Sequence, residues 1–203
     1  MSAKQSQKFN DEHRLNAIEK VEYGYKDGGR GVKFNEDGSV AKYSWREVIT
    51  VKSPDEDPSF KKAVEYAQKK TAHMSSTAQK AEFLAKFVDK LLPQNDENKN
   101  LEIMAEVLGG DFKAKEITLG QLIDAGTGVC RHRSLLFKAL ADEVDVPASL
   151  VRGNYDNGAV SGGHAWNEVV LEDNQRILVD VMHRNIFNMD HPDVQHYKDI
   201  QKK

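Results

Sequence analysis

"GTGVCRHRSLLFKAL", residues 126–140, contains the only cysteine of the chain, Cys130. Two glycines, Gly126 and Gly128, precede the thiol; Arg131, His132 and Arg133 follow it. Residues 128–144 have a helical period: Leu135, Leu136, Ala139, Leu140 and Val144 share one face. Cys130 is therefore expected at the first turn of a helix, where free backbone N–H groups and the helix dipole favour a thiolate. The glycines allow a tight loop and close backbone approach. A free cysteine is also among the most often buried side chains. On this segment alone, a nucleophile and an inert core thiol stand level.

Two residues further along tip the balance. "SGGHAWNEVVL" places His164 after two glycines, at the start of a strand-like run. "RILVDVM" places Asp180 inside an otherwise apolar strand, where an ionised carboxylate is costly without a hydrogen-bonding partner. His164 is the nearest sensible partner, across a hairpin turned at residues 172–175. The chemistry then follows: His164 takes the Cys130 proton, and Asp180 fixes the imidazole tautomer and supports the imidazolium. Side chains alternate along strands, so His164 and Asp180 must share one face of the strand pair. That requires an odd-length loop or a bulge. A two-residue turn would set Asn167 opposite Asp180 instead.

The rest of the chain supplies context. It has 203 residues, 39% hydrophobic and 30% charged, and a formal charge of −3. This suits one globular domain with a substantial core, and gives no electrostatic reason to expect a nucleic acid or anionic membrane as partner. One cysteine, no leader-like start and no long apolar run point to a reducing cytosol, with signal-less export left open. Residues 1–20 show only a weak helical pattern at Leu15 and Ile18. Asp27-Gly28-Gly29 and Asp37-Gly38 are turn signals, and residues 31–51, with Val32, Phe34, Tyr43 and Trp45, read as a small β element. Asp57 and Pro58 open a helix bearing Phe60, Val64 and Ala67. A second helix carries Ala81, Leu84, Ala85 and Val88 up to Pro93. Residues 94–100 read as a charged loop, followed by a short helix stopped at Gly109-Gly110. Helices come first, then a core helix, then antiparallel strands, which is an α+β order. The division expected is residues 1–60 as an N-terminal extension with a hairpin and residues 61–203 as the catalytic-type domain, together one compact unit.

The motifs "GVCRHRSLLFKALADEVDVPASLVRGNY", "GGHAWNEVVL" and "ILVDVM" resemble the transglutaminase-like, papain-like superfamily. The likeness is greatest to a peptidase-like domain found in plant Raf-like kinases of ethylene and disease-resistance signalling and in an armadillo-repeat protein. It covers about residues 117–185, and residues 1–100 carry no nameable likeness. The resemblance implies a core helix with Cys130 at its head packed on an antiparallel sheet. It also implies Cys130 as nucleophile, His164 as general base and Asp180 as orienting acid, with no cofactor. The superfamily pairs the cysteine N–H with an upstream side-chain donor in its oxyanion hole, for which Gln121 is the candidate. His132 and Trp166 are candidate cleft residues, each with a structural alternative, and Arg133 is expected to pair with carboxylates. The implied activity is attack on an amide of a protein or peptide: proteolysis, deamidation or transamidation. The alternative is a catalytically silent fold that holds a protein partner through the cleft or through the N-terminal hairpin and helices; its signature would be a cleft blocked by residues 1–25 or the tail, and a Cys130 of unshifted reactivity. His183, His191 and His196 fit no compact zinc motif. "GGRG", residues 28–31, lacks the lysine of a phosphate loop and reads as a turn.

Overall fold

The computed structural model describes residues 2–35, 37–42, 46–93, 96–107 and 116–200. The first half contains α1 (Ser2–Glu12), β1 (Arg14–Leu15), β2 (Lys26–Asp27), β3 (Lys33–Phe34), β4 (Val40–Lys42) and β5 (Val48–Thr50). Three helices follow: α2 (Pro58–Thr71), α3 (Thr77–Leu91) and α4 (Glu97–Val107). The second half contains β6 (Glu116–Thr118), α5 (Leu119–Ala125), α6 (Cys130–Glu143), β7 (Ala148–Asp156), β8 (Ser161–Val170) and β9 (Arg176–Asp180). It closes with β10 (Asn185–Asn188), a 3-10 turn at Pro192–His196, and β11 (Tyr197–Asp199).

The expected α+β class holds. The main sheet is antiparallel, in the order β1-β7-β8-β9-β10, with β11 also on β7. Helix α6 lies against it and is enclosed by α2 and α3. Burial is greater than its apolar stripe alone implies, because residues 131–142 are all buried. Its charged members survive there by pairing: Lys138 meets Asp142 at 2.6 Å and Arg133 meets Asp89 at 3.2 Å. A buried charge without such a partner would be strongly destabilising.

Register settles the face question raised by the sequence. Asn167 faces Val179, and Val170 faces Arg176. Leu171 donates to the Gln175 carbonyl at 2.8 Å, leaving the odd-length turn Glu172-Asp173-Asn174, with Asn174 at φ 63°. His164, Trp166, Leu178 and Asp180 therefore share one face. The β8–β9 ladder stops at Asn167–Val179, while β8 runs on to Ser161 paired with β7 alone. The β9 side of β8 is thus open around His164. His164 lies inside β8, three residues past its start, rather than at the beginning of the strand.

Several local expectations change. The Asp37-Gly38 hairpin forms as β3–β4, but β5 leaves it for a separate sheet, β2-β5-β6, in which β5 and β6 are parallel. Tyr43 and Trp45 lie outside the described residues, as do Gly109 and Gly110. Helix α4 starts at Glu97, inside the stretch read as loop, where Asp96 caps the Lys99 N–H at 2.9 Å. Leu15 is a buried strand residue opposite Leu150 and Ile18 is 91% exposed, so no helix joins them. The helix lies earlier, at α1. The tail joins the sheet through β10 and β11, with every residue from 182 to 200 exposed or only partly buried. No helix among the described residues is long and apolar enough to cross a membrane.

One buried carboxylate joins two helix starts. Asp57 Oδ1 accepts the Phe60 N–H at 3.2 Å as the cap of α2, and Oδ2 accepts the Gly120 N–H of α5 at 2.8 Å. A Cβ on Gly120 would stand 1.7 Å from Asp57 Oδ1, so only glycine fits. Asp57→Ala removes the cap and orphans a buried donor. Urea unfolding of this variant should show a loss of about 1–3 kcal/mol with an unchanged denaturant slope.

Candidate active site

The turn before Cys130 is held by side chains from outside it. Helix α5 ends at Gly126, in the left-handed region at φ 63°. Asn100 Oδ1 accepts the Gly128 N–H at 2.9 Å and the Thr127 hydroxyl. Arg133 donates from Nε to the Gly128 carbonyl at 2.8 Å and from Nη2 to the Leu92 carbonyl. His132 Nδ1 accepts the Val129 N–H at 3.0 Å, and its Nε2 meets Glu47 Oε1 at 2.5 Å. Arg131 also donates to Glu47. Burial and the Arg131 charge keep His132 below its ordinary pKa, hence neutral with its proton on Nε2. Burial alone would raise Glu47, but Arg131 and His132 hold it well below the carboxylate range. Cys130, at the head of α6, is partly exposed as a residue.

Cys130, His164 and Asp180 are brought together. His164 stands by Cys130 on the cavity wall, near enough for each to shift the other's pKa, and its Nε2 meets Asp180 Oδ2 at 2.7 Å. Burial acts to raise the thiol pKa. The hydrogen bond and charge of His164, with the Ala165 N–H, outweigh it and bring the thiol below its ordinary 9.0. Burial likewise acts to lower His164, but Asp180 and Cys130 push it up to about 10. Asp180 is held well below the carboxylate range by His164 and His183 despite its burial. All three shifts run towards the charged forms: thiolate for Cys130, imidazolium for His164 and carboxylate for Asp180.

Sequence reasoning missed two further partners of Asp180. His183 Nδ1 lies 2.8 Å from Oδ2 and stacks on His164 with centroids 4.6 Å apart. The Tyr197 hydroxyl donates to Oδ2 at 2.8 Å. Burial and the Asp180 charge raise the Tyr197 pKa far above its ordinary value, so it stays a donor. Tyr197 carried no local signal, because β11 reaches the site only through tertiary pairing; His183 lies three residues after Asp180, a spacing that was in the sequence. The His164, Asp180 and His183 ligand atoms lie within 4.8 Å of one another, a spacing a metal ion could span. Here they are engaged as hydrogen-bond partners. His191 stacks on Phe187 and His196 contacts the Asp156 carbonyl, so neither joins them.

Three candidates prove to be structural. Gln121 is exposed and caps α5: its Oε1 accepts the Thr118 N–H at 2.9 Å while Thr118 Oγ1 accepts the Gln121 N–H at 3.3 Å. This is a capping box, whose Thr-x-x-Gln signature was present in the sequence. Gln121 does not line the cavity at Cys130 and offers no oxyanion donor. His132 is 2% exposed and sits beneath the helix head, not in the cleft. Trp166 is 1% exposed and packs with Val151 and Leu178 in a small core across the sheet from α6.

A cavity of about 540 Å³ opens at Cys130 and His164, walled by the Gly28–Arg30 loop on one side and Val160–Gly163 on the other. Among the described residues, none of segment 2–27 and none after His183 lines it.

The family model described as "EDR1/CTR1/ARMC3, peptidase-like" matches residues 36–185. The match begins well before the motifs around Cys130 and takes in Glu47 and helices α2–α4. Armadillo repeat-containing protein 3 of Homo sapiens is 33% identical over 128 residues, 61% of this chain and 14% of that protein. The probable serine/threonine-protein kinase SIS8 of Arabidopsis thaliana is 38% identical over 69 residues, 32% of this chain and 6% of that protein. The chain thus spans only a small part of either relative. A crystal structure of a candidate cysteine protease from Cytophaga hutchinsonii covers 60% of this chain and 42% of its own, at 20% identity and a TM-score of 0.34.

Removing His164 should expose the balance at the thiol. In His164→Ala the burial and the Asp180 charge remain, and both raise the Cys130 pKa. Iodoacetamide labelling of Cys130 at pH 7 should fall at least about tenfold, with its inflection moving above pH 9. Mass spectrometry across a pH series reads both.

Proposed function

The chain belongs to the EDR1/CTR1/ARMC3 peptidase-like family, and from that premise we propose that it is a thiol enzyme attacking amide bonds of a protein or peptide. One observation carries the reading: Cys130 and His164 line one cavity, and His164 Nε2 lies 2.7 Å from the buried Asp180. In this reading the Cys130 thiolate adds to the substrate carbonyl. The developing oxyanion is met by the Cys130 N–H, one of the first-turn donors that an α-helix does not use internally. The His164 imidazolium gives its proton to the departing nitrogen, and a thioester forms. Neutral His164 then takes a proton from water or an amine, which attacks the thioester and restores the thiol. Asp180 keeps the proton on Nε2 and stabilises the imidazolium. Proteolysis, deamidation and transamidation differ only in the leaving and entering nitrogen or water, and the acyl-enzyme is common to all three.

The same reading takes residues 1–60 and 61–203 as one working unit, because Asp27 and Glu47 hold cavity-lining arginines of the second half. It also places the protein in a reducing compartment, where the thiol stays usable. The silent-domain alternative expected a blocked cleft and an unshifted cysteine. An open cavity with Cys130 in its lining and a lowered thiol pKa favour catalysis over it.

An activated peptidyl ester tests the reading. Wild type should accumulate the acyl mass on Cys130 and release it, whereas Cys130→Ala should form none. Asp180→Asn should slow acylation by roughly 10³-fold or more. The rate should rise with pH as the thiol ionises and fall near pH 10 as His164 loses its proton. Equal ester turnover by wild type and Cys130→Ala would defeat the proposal.

A further inference from the structure

The Gly28–Gly31 loop, a plain turn in the sequence, forms one wall of the Cys130 cavity. Gly29 and Gly31 adopt φ of 71° and 89°, where a side chain is strained. A Cβ on Gly28 would meet Val32 at 2.6 Å. Asp27 folds the loop by accepting the Gly29 N–H at 2.7 Å, and ties it down by accepting Arg152 Nη2 at 2.6 Å. The loop is therefore anchored, and it carries Arg30 across to the other wall.

There Arg30 Nη2 donates to the Gly153 carbonyl at 2.6 Å and to Asn154 Oδ1 at 3.1 Å. Its Cζ and Nη1 each lie 3.4 Å from where a Cβ on Gly163 would stand. Gly163 directly precedes His164, so the glycine makes room for a guanidinium beside the reacting groups. Both acceptors of Arg30 are neutral, and its bonds use Nη2 alone. Nη1 and Nε remain as donors, held at a fixed place on the cavity rim.

The wider charge pattern agrees. Arg30, Arg46, Arg131 and Arg152 line the cavity, and no Asp or Glu does so among the described residues. The carboxylates of Asp27 and Glu47 are buried behind the wall, on Arg152 and Arg131. Arg131 and Arg152 are thus already paired with carboxylates, whereas the Gly153 carbonyl and Asn154 Oδ1 that Arg30 meets are both neutral oxygens.

We infer that the cleft selects a substrate bearing a carboxylate next to the amide that Cys130 attacks, and that Arg30 is the residue that recognises it. The inference rests on the thiol-enzyme reading and adds a substrate class to it: acidic peptides. A guanidinium fork suits a carboxylate because two parallel N–H donors match two oxygens. The carboxylate can belong to a side chain or to a chain terminus, since both present the same group.

Peptide vinyl sulfones test this without requiring turnover, because the thiolate adds to the vinyl carbon and the neighbouring carbon takes a proton. Three probes suffice: a Glu probe capped as the amide, its Gln counterpart, and the Gln peptide ending in a free acid. Each labelling rate is divided by the same protein's iodoacetamide rate, which carries any change in the thiol itself. Wild type should prefer the Glu probe, the free-acid probe or both over the neutral one by about tenfold. Arg30→Gln should bring the ratios close to one. Added salt at 1 M, where the Debye length is about 3 Å, should shrink them in wild type. Equal rates for all three probes in wild type would overturn the inference, as would a preference that persists in Arg30→Gln. An iodoacetamide rate no faster than that of an ordinary thiol would instead defeat the thiol-enzyme reading itself, and this inference with it.

Discussion

Asp180 is 1% exposed and its two oxygens accept from five directions. Oδ2 meets His164, His183 and the Tyr197 hydroxyl; Oδ1 accepts the backbone N–H groups of Met182 and His183. A buried carboxylate without such partners would be costly, so this set is what permits an ionised acid inside β9. The constraint also acts outward. The chain must turn directly after Asp180 to deliver two N–H groups, which starts β10 back along β9. The tail must return to β7 to deliver Tyr197. The imidazole of His164 is then pinned at one nitrogen and presents the other to Cys130.

The same logic explains the opening in the sheet. If β9 continued alongside β8 to His164, the imidazole would be covered. Pairing stops at Asn167–Val179, and beyond it β8 is held by β7 alone. Asn167, fully buried, bridges this junction by donating to the Ser134 carbonyl of α6 at 3.1 Å and the Ser149 carbonyl of β7 at 3.0 Å. The helix that carries the thiol is thereby registered to the strand that carries the imidazole. On the other side, Glu47 and His132 fix the helix head from below. Helix, strand and loop are each positioned by buried polar contacts of this kind, and the apolar core supplies the bulk around them.

What the sequence made legible follows from periodicity. A helix beginning at Cys130 was readable because seventeen residues keep one period, 128–144. His164 and Asp180 were readable as one face because a strand period of two leaves only the loop parity to be satisfied, and residues 171–175 satisfy it. Gln121, His132 and Trp166 were misread because their residue types suit a cleft while their settings are a helix cap, a buried support and a core. Only the first had a usable local signature, its spacing from Thr118. Strands β1, β2 and β11 have two or three residues each, too few to show a period. Their place depends on partners more than a hundred residues away in the case of β1. Arg30 was hidden for the same reason: a glycine-rich turn says nothing about which wall it will form.

The account depends most on the protonation of one ring. Imidazole ¹⁵N shifts of His164, recorded across pH in wild type and in Cys130→Ala, measure it directly. Both His164 nitrogens should be protonated at pH 8 in wild type, with neutralisation only near pH 10. Loss of the sulfur partner in Cys130→Ala should move that titration downwards, because one of the groups that raises it is gone. A His164 that is neutral at pH 8 in wild type, or that titrates identically in both proteins, would contradict the thiolate–imidazolium pair on which the rest is built.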